Sequence, residues 1–327
     1  MKHARVYVVL GMALSLSLLF VSDGWTVTER DVLSFISAKD KNQRMTLINT
    51  QGKILEKLAI DMGEAYNFSW SPDKDSIAYD SRRNGNLDIY VVDVEKKIDR
   101  QLTFGGRKDR WPVWSPNGGW IAFGSERAGS SDIYRMDADG ENVKQLTRQG
   151  SCRKPAWSPD SKWIAFTSES SLFVMDASGK RLKEIALAAP LSPCTWEPDG
   201  KRIGFMSFAP NGKSEIFIVD VDGENLRQLT KTDLRGRIWH PVWSPSGKWI
   251  AYILGHIPVG GAAVNDILAA GVVSIVNVAE GGGGTPIEVT RGLGASSLAW
   301  VPENLLSVSP SSEKQTVLWG KLKQSGK

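Results

Sequence analysis

Trp157-Ser158-Pro159-Asp160-Ser161-Lys162-Trp163-Ile164-Ala165-Phe166 reads as a strand ending at a tryptophan, a tight turn, and a second strand. Proline presets φ for the second position of a type I turn, and Asp, Ser and Gly suit the positions after it. The residue before a proline is held extended, so Ser158 closes the first strand. Ala165, small between two large residues, allows a neighbouring sheet to approach, and the tryptophan has the bulk to fill the gap between sheets.

The same corner recurs as Trp70-Ser71-Pro72-Asp73, Trp114-Ser115-Pro116-Asn117, Trp196-Glu197-Pro198-Asp199, Trp243-Ser244-Pro245-Ser246 and, degenerately, Trp300-Val301-Pro302-Glu303. A spacing of roughly forty to sixty residues fits a propeller blade or a helical repeat. Local patterning decides for β. Ile77-Ala78-Tyr79, Ile121-Ala122-Phe123, Ile203-Gly204-Phe205 and Ile250-Ala251-Tyr252 follow their corners, as Ile164 to Phe166 follows Trp157. A third run comes next (Asp88–Asp93, Asp132–Asp137, Leu172–Asp176, Glu215–Asp220), and a fourth ends in Gln-Leu-Thr at Thr103, Thr147 and Thr230. Four short β-branched and aromatic runs per unit, separated by turn residues, carry no helical stripe. A lone four-stranded unit has two apolar faces, and closing a ring of units buries both.

These corners resemble the TolB-like, WD-type propeller repeats (the PD repeat class), over roughly residues 30 to 302. The resemblance implies an all-β, six-bladed propeller of four-stranded antiparallel blades. TolB proteins also carry an α/β domain before the propeller, so the resemblance concerns the propeller portion only. The repeat class occurs too in prolyl-oligopeptidase-type and Tricorn-like proteins, but no G-x-S-x-G and no hydrolase domain accompany it here. Closure follows from the two chain ends. Val32–Ser37, Met45–Asn49 and Ile54–Ile60 supply three strands without a first, and Leu298–Trp300 supplies the missing one. The expected organisation is a signal peptide over 1–24, a propeller over 25–303 and a tail over 304–327 with an added strand near Val317–Trp319. A seven-bladed alternative makes that tail a blade of its own.

Lys2 and Arg5 precede an apolar stretch from Val6 to Val21, and Ser22-Asp23-Gly24 offers small residues for cleavage. The stretch is shorter than a bilayer span needs, so the expectation is export to the periplasm or the medium on a cleaved signal, an uncleaved anchor being the alternative. The mature chain shows no second long apolar run. Cys152 and Cys194 either pair in an oxidising compartment or remain two buried thiols.

Signatures of chemistry are sparse. Apart from His3 in the signal, the histidines are His240 and His256, whose spacing matches no metal motif. Asp137 to Asn142 and Asp220 to Asn225 resemble the start of a calcium loop, yet position twelve holds Arg148 and Lys231, so these read as Asp-Gly hairpin turns. No loop has the sialidase Asp-box register, although a propeller glycosidase can use scattered carboxylates. No cofactor or metal is expected. A net charge of +4 without a long basic run gives no case for nucleic acid.

Charge is nevertheless uneven. Loops entering first strands, with those joining second to third strands, sum to roughly +9, and the opposite rim to roughly −7. The candidate binding residues are Arg107, Lys108, Arg110, Arg153, Lys154, Arg235, Arg237 and His240, which the repeat places around the mouth of the central channel. Convergent guanidinium groups bind carboxylates bidentately. The expectation is a non-catalytic, monomeric interaction module for an acidic protein segment, a C-terminal carboxylate or an anionic glycan. The alternatives are a small-ligand or carbohydrate binder in the channel, and a propeller lyase or glycosidase.

Overall fold

Five of the Trp-x-Pro corners, those at Trp70, Trp114, Trp157, Trp196 and Trp243, close as hydrogen-bonded turns. The fourth residue's N–H donates to the first residue's carbonyl: Lys74 to Ser71 at 3.0 Å, Gly118 to Ser115 at 2.9 Å, Ser161 to Ser158 at 2.9 Å, Gly200 to Glu197 at 2.9 Å and Gly247 to Ser244 at 2.9 Å. The serine of the motif also ties the turn to the next strand. Ser71 Oγ accepts from Ser76 N, Ser115 Oγ from Trp120 N and Ser158 Oγ from Trp163 N, at 2.9–3.0 Å.

A computed structural model describes residues 32–37, 45–58, 60–187, 193–232, 236–256, 271–279, 286–290 and 295–301. Blade 1 holds β1 (Val32–Ser37), β2 (Met45–Asn49) and β3 (Ile54–Leu58). Blade 2 comprises β4 (Ala65–Trp70), β5 (Ser76–Ser81), β6 (Asp88–Asp93) and β7 (Asp99–Gln101). Blade 3 comprises β8 (Asp109–Trp114), β9 (Trp120–Ser125), β10 (Asp132–Asp137) and β11 (Lys144–Gln145). Blade 4 comprises β12 (Cys152–Trp157), β13 (Trp163–Ser168), β14 (Ser171–Asp176) and β15 (Lys183–Leu187). Blade 5 comprises β16 (Thr195–Trp196), β17 (Arg202–Phe208), β18 (Ser214–Asp220) and β19 (Arg227–Gln228). Blade 6 comprises β20 (Gly236–Trp243), β21 (Trp249–His256), β22 (Val272–Asn277) and β23 (Ile287–Glu288). β24 (Ala295–Trp300) returns to blade 1 and pairs antiparallel with β1, Leu33 facing Trp300 and Phe35 facing Leu298.

The ring is therefore six-bladed and sealed by both chain ends, as the missing first strand of blade 1 requires. The seven-bladed alternative fails because blades 6 and 1 already pack together. Trp249, Ala251 and Ile275 form one buried cluster with Leu33, Phe35 and Trp300. The signal segment and the tail from residue 302 lie outside the described residues.

Buried clusters sit between neighbouring blades rather than within one. Ile121 packs toward blade 2 with Ala78 and Val91, while Ala122 faces blade 4 with Ile164 and Phe166. Gly204 takes this to the limit, since a Cβ there would lie 3.2 Å from Ile250 Cδ1 of blade 6. Several corner indoles staple one blade to the next. Trp157, Trp196 and Trp300 donate Nε1–H to the carbonyls of Val113, Ala156 and Val242, each on the preceding blade's first strand, at 3.0–3.1 Å.

The two rims are as the repeat implies. Loops entering first strands bond to loops joining second to third strands: Glu126 N donates to Lys108 O at 3.1 Å, and Asn86 Nδ2 to Arg107 O at 2.8 Å. On the opposite rim, Val94 N donates to Asp75 O at 2.8 Å and Ala138 N to Gly119 O at 3.2 Å. The calcium-like motifs are hairpin turns. Gly140 N donates to Asp137 O, and Asn142 Nδ2 to Asp137 Oδ2 at 2.7 Å, with the same bonds at Gly223, Asn225 and Asp220. Cys152 and Cys194 are both buried free thiols.

Candidate functional site

The first strands of the blades surround a central cavity of about 380 Å³. Its wall carries, three residues before each corner tryptophan, Ser297, Asn67, Trp111, Lys154, Pro193 and His240 in ring order. In blades 3, 4 and 6 that wall residue precedes a proline: Pro112, Pro155 and Pro241. Proline cannot donate to a ladder, so within a sheet it needs an edge or a bulge. Here it has both. The register jumps between Arg110 and Val113, between Arg153 and Ala156, and between Trp239 and Val242, leaving two residues of each first strand opposite one of its partner.

Trp111, Lys154 and His240 consequently hold left-handed backbone, with φ of +57°, +55° and +47°. Such conformations cost on the order of 1–3 kcal/mol for a residue other than glycine, and they concentrate where a side chain must be re-aimed. Three occurrences at one register of three blades put an indole, an ammonium and an imidazole on the channel wall.

The wall is mostly apolar, and among the described lining residues there is no Asp or Glu. Desolvation, with Arg153 and Arg110 nearby, pulls the Lys154 ammonium down to about 8. Burial, aided by Lys154, lowers the His240 imidazole to about 3, so it is neutral at pH 7. Burial pushes the Cys194 thiol up to about 12 and keeps it protonated.

Asp80, fully buried on β5, organises the other side of the mouth. Its carboxyl accepts from Asn67 N and Asn67 Nδ2 at 2.8 Å and from Trp111 N at 2.9 Å, joining the bulges of blades 2 and 3. Burial raises its pKa despite these donors. Arg110 lies 5.0 Å above the Trp111 ring, and its Nε is buried with no hydrogen-bond partner among the described residues.

Of the residues singled out from sequence, Lys154 and His240 line the cavity, and Arg110 backs Trp111. Arg153 and Arg237 are exposed on β12 and β20 and are not part of the lining. Arg107 and Lys108 are exposed on the rim between blades 2 and 3, where Lys108 faces Glu126 at 3.6 Å. Arg235 lies outside the described residues. Trp111, Asn67, Asp80 and Cys194 escaped the sequence reading. A signal for the first existed: Trp111-Pro112-Val113-Trp114, Lys154-Pro155-Ala156-Trp157 and His240-Pro241-Val242-Trp243 place a proline inside a strand at one register. Asp80 gave no signal, because its partners come from two different blades.

Comparison with known proteins supports the architecture. TolB from Acinetobacter baumannii is 22% identical with a TM-score of 0.65, the alignment covering 83% of this chain and 66% of that one. A TolB-type structure from Agrobacterium tumefaciens is 18% identical with a TM-score of 0.62, covering 83% of this chain and 98% of that one. A chain from a nidogen/laminin complex has a TM-score of 0.59 at only 8% identity, over 83% of this chain and 98% of that one. At such identities the likeness concerns the fold, and one fold hosts many functions. No curated protein sequence matches. The family model of the TolB beta propeller domain matches residues 12–171. With that match and six closed blades, the chain resembles the TolB-like β-propellers.

Proposed function

We propose that this chain is an exported, non-catalytic propeller that binds an acidic protein segment or a chain-terminal carboxylate at the basic mouth of its channel. The observation that carries this reading is the placement of Lys154 on a cavity wall whose described residues include no carboxylate, with Arg110 and Arg153 close enough to depress its ammonium. A desolvated ammonium is stabilised by an incoming anion, and Arg110, stacked over Trp111, adds positive charge behind the wall. Arg153 and Arg237 at the strand edges extend the positive field toward solvent and steer an acidic partner by long-range attraction. Trp111 gives the bound segment an aromatic floor.

A fluorescein-labelled ten-residue oligoglutamate, titrated by anisotropy, tests this. The expected result is binding that weakens as salt rises and falls about tenfold or more when Arg110, Arg153 and Arg237 are replaced together by Gln. Unchanged affinity in that variant removes the mouth as the site. Export is checked separately by sequencing the amino terminus of the protein recovered outside the cytoplasm, which should begin near residue 25.

A second reading, a small anionic ligand held inside the channel, is favoured by the cavity's volume of about 380 Å³. That lies within the usual range for small-molecule sites.

A further inference from the structure

The exposed aromatic side chains are segregated. Among the described residues, Phe104 is 71% exposed and Tyr66 and Phe208 are each 40% exposed, and all three lie on the basic side of the ring. Phe104 opens the loop into β8, Tyr66 lies at the start of β4, and Phe208 ends β17 at the loop to β18. The opposite rim exposes aliphatic side chains instead, such as Ile98, Leu182 and Leu226 at the turns into β7, β15 and β19. Single exposed apolar residues are ordinary on a protein surface, so the sorting of aromatic from aliphatic is the informative feature.

The fold does not call for an aromatic at Phe104. The residue after the threonine of the Gln-Leu-Thr run is Arg148 in blade 3 and Lys231 in blade 5, so the repeat treats this position as solvent-facing. Gly105 and Gly106 follow with φ of +114° and +72°, and a Cβ on either would meet nothing within 4 Å. The tip therefore stands clear of the disc. Its base is tied down, because Gln101 Nε2 donates to Thr103 O and Asn86 Nδ2 to Arg107 O, both at 2.8 Å. Cations accompany it. Arg107 and Lys108 share the loop, Arg82 is on the adjoining loop of blade 2 and Arg148 on the loop into β12, all four exposed. Of these, only Lys108 has an ion pair among the described residues, with Glu126 at 3.6 Å. Asp61 and Glu64 lie toward blade 1, on the loop into β4.

We propose that this rim is a membrane-docking face, which seats on a bilayer of anionic phospholipid with Phe104 inserted among the headgroups. Blades 2 and 5 stand opposite each other in a six-bladed ring, so Phe104 and Phe208 project on opposite sides of one face of the disc. A planar surface meets both at once. A protein interface buries a contiguous apolar core inside a polar rim, whereas these aromatics are single residues set among charges. A lipid interface favours that arrangement: aromatic rings settle at the headgroup level, and Lys and Arg are attracted to an anionic leaflet. The inference rests on the rim loops and on neither reading of the channel.

Flotation of the exported chain with vesicles tests it. Vesicles of equal parts phosphatidylcholine and phosphatidylglycerol should carry the protein, vesicles of phosphatidylcholine alone should not, and added salt should release it. Phe104→Ser should weaken binding about tenfold, and Phe104→Trp should retain it. Both variants should keep the parent's melting temperature, since the side chain is mostly in solvent. Arg107→Gln combined with Lys108→Gln should weaken binding by about tenfold or more. Phe104→Ser should leave oligoglutamate binding unchanged. Equal binding to both kinds of vesicle, or equal binding by Phe104→Ser and the parent, overturns the proposal. Vesicle binding that is lost on the Arg110, Arg153 and Arg237 substitutions but kept in Phe104→Ser moves the lipid to the mouth and overturns it too. If oligoglutamate binds while anionic vesicles do not, the docking face falls, the rim is left to a protein partner, and the acidic-partner reading stands.

Discussion

The corner tryptophan and the wall residue lie three positions apart on the same strand, yet the two positions obey different rules. The corner is Trp70, Trp114, Trp157, Trp196, Trp243 and Trp300, the same residue in every blade. The wall position is Asn67, Trp111, Lys154, Pro193, His240 and Ser297, different in every blade. The corner side chain fills the space between blades, a requirement that repeats with the fold. The wall side chain lines the lumen, where no packing constraint common to every blade applies, and chemistry can differ blade by blade. Backbone strain follows the same division, since Trp111, Lys154 and His240 are held left-handed at wall positions.

The largest effect expected from this contrast is on stability. Trp157 stacks on Trp120 with ring centroids 5.8 Å apart and bonds to Val113 O. Trp157→Ala leaves a cavity between blades 3 and 4 and should cost about 3–5 kcal/mol, read from the urea midpoint. Lys154→Met, three residues upstream, removes a desolvated charge and should leave the midpoint unchanged or higher. Equal losses at both positions would erase the distinction between them.

A second contrast separates the wall positions by pH. The His240 imidazole titrates near 3 in the folded chain and near 6.5 when unfolded, so between those values the unfolded chain binds more protons. The stability this confers is complete above about pH 6.5 and is lost as the pH falls toward 3. The component is on the order of a few kcal/mol. His240→Gln should therefore flatten the decline in stability between pH 6.5 and 4, measured by urea denaturation at a series of pH values. Lys154 acts in another window, because its ammonium is lowered from 10.5 to about 8. The unfolded chain again binds more protons, so this contribution grows from pH 8 to 10.5, and Lys154→Met should abolish that rise alone. A variant that alters both windows would mean that the two groups titrate as a pair.

The same division explains what could be read in advance. Corner, turn and small-residue positions are set by contacts that recur in each blade, so they repeat in the sequence and reveal blade number, strand order and closure. Lys154 and His240 were legible because charged groups cluster in loops that the repeat brings to one rim. Arg107 and Lys108 share that rim but stay exposed on it, because loop position fixes a rim and not a direction. Asp80 was hidden. In the other blades its place is taken by Ile36, Gly124, Thr167, Met206 and Ile253, and a buried acid there makes sense only beside Asn67 and the bulged Trp111 N–H. That meeting of two blades exists only in three dimensions.

The finest test compares two corners with each other. Trp157 Nε1 donates across the blade interface to Val113 O at 3.1 Å, whereas Trp114 Nε1 is buried without a hydrogen-bond partner among the described residues. Replacing either tryptophan by phenylalanine removes similar apolar bulk but different polar consequences. At Trp157 the change deletes a hydrogen bond and leaves the Val113 carbonyl without its partner. At Trp114 it deletes a donor that folding had already stripped of water without compensation. A net hydrogen bond contributes about 1 kcal/mol, and an unsatisfied buried group costs about 1–3 kcal/mol. Trp114→Phe should consequently be milder than Trp157→Phe by about 1 kcal/mol or more in urea unfolding. The reverse order would mean that the indole N–H of Trp114 finds an acceptor in solution.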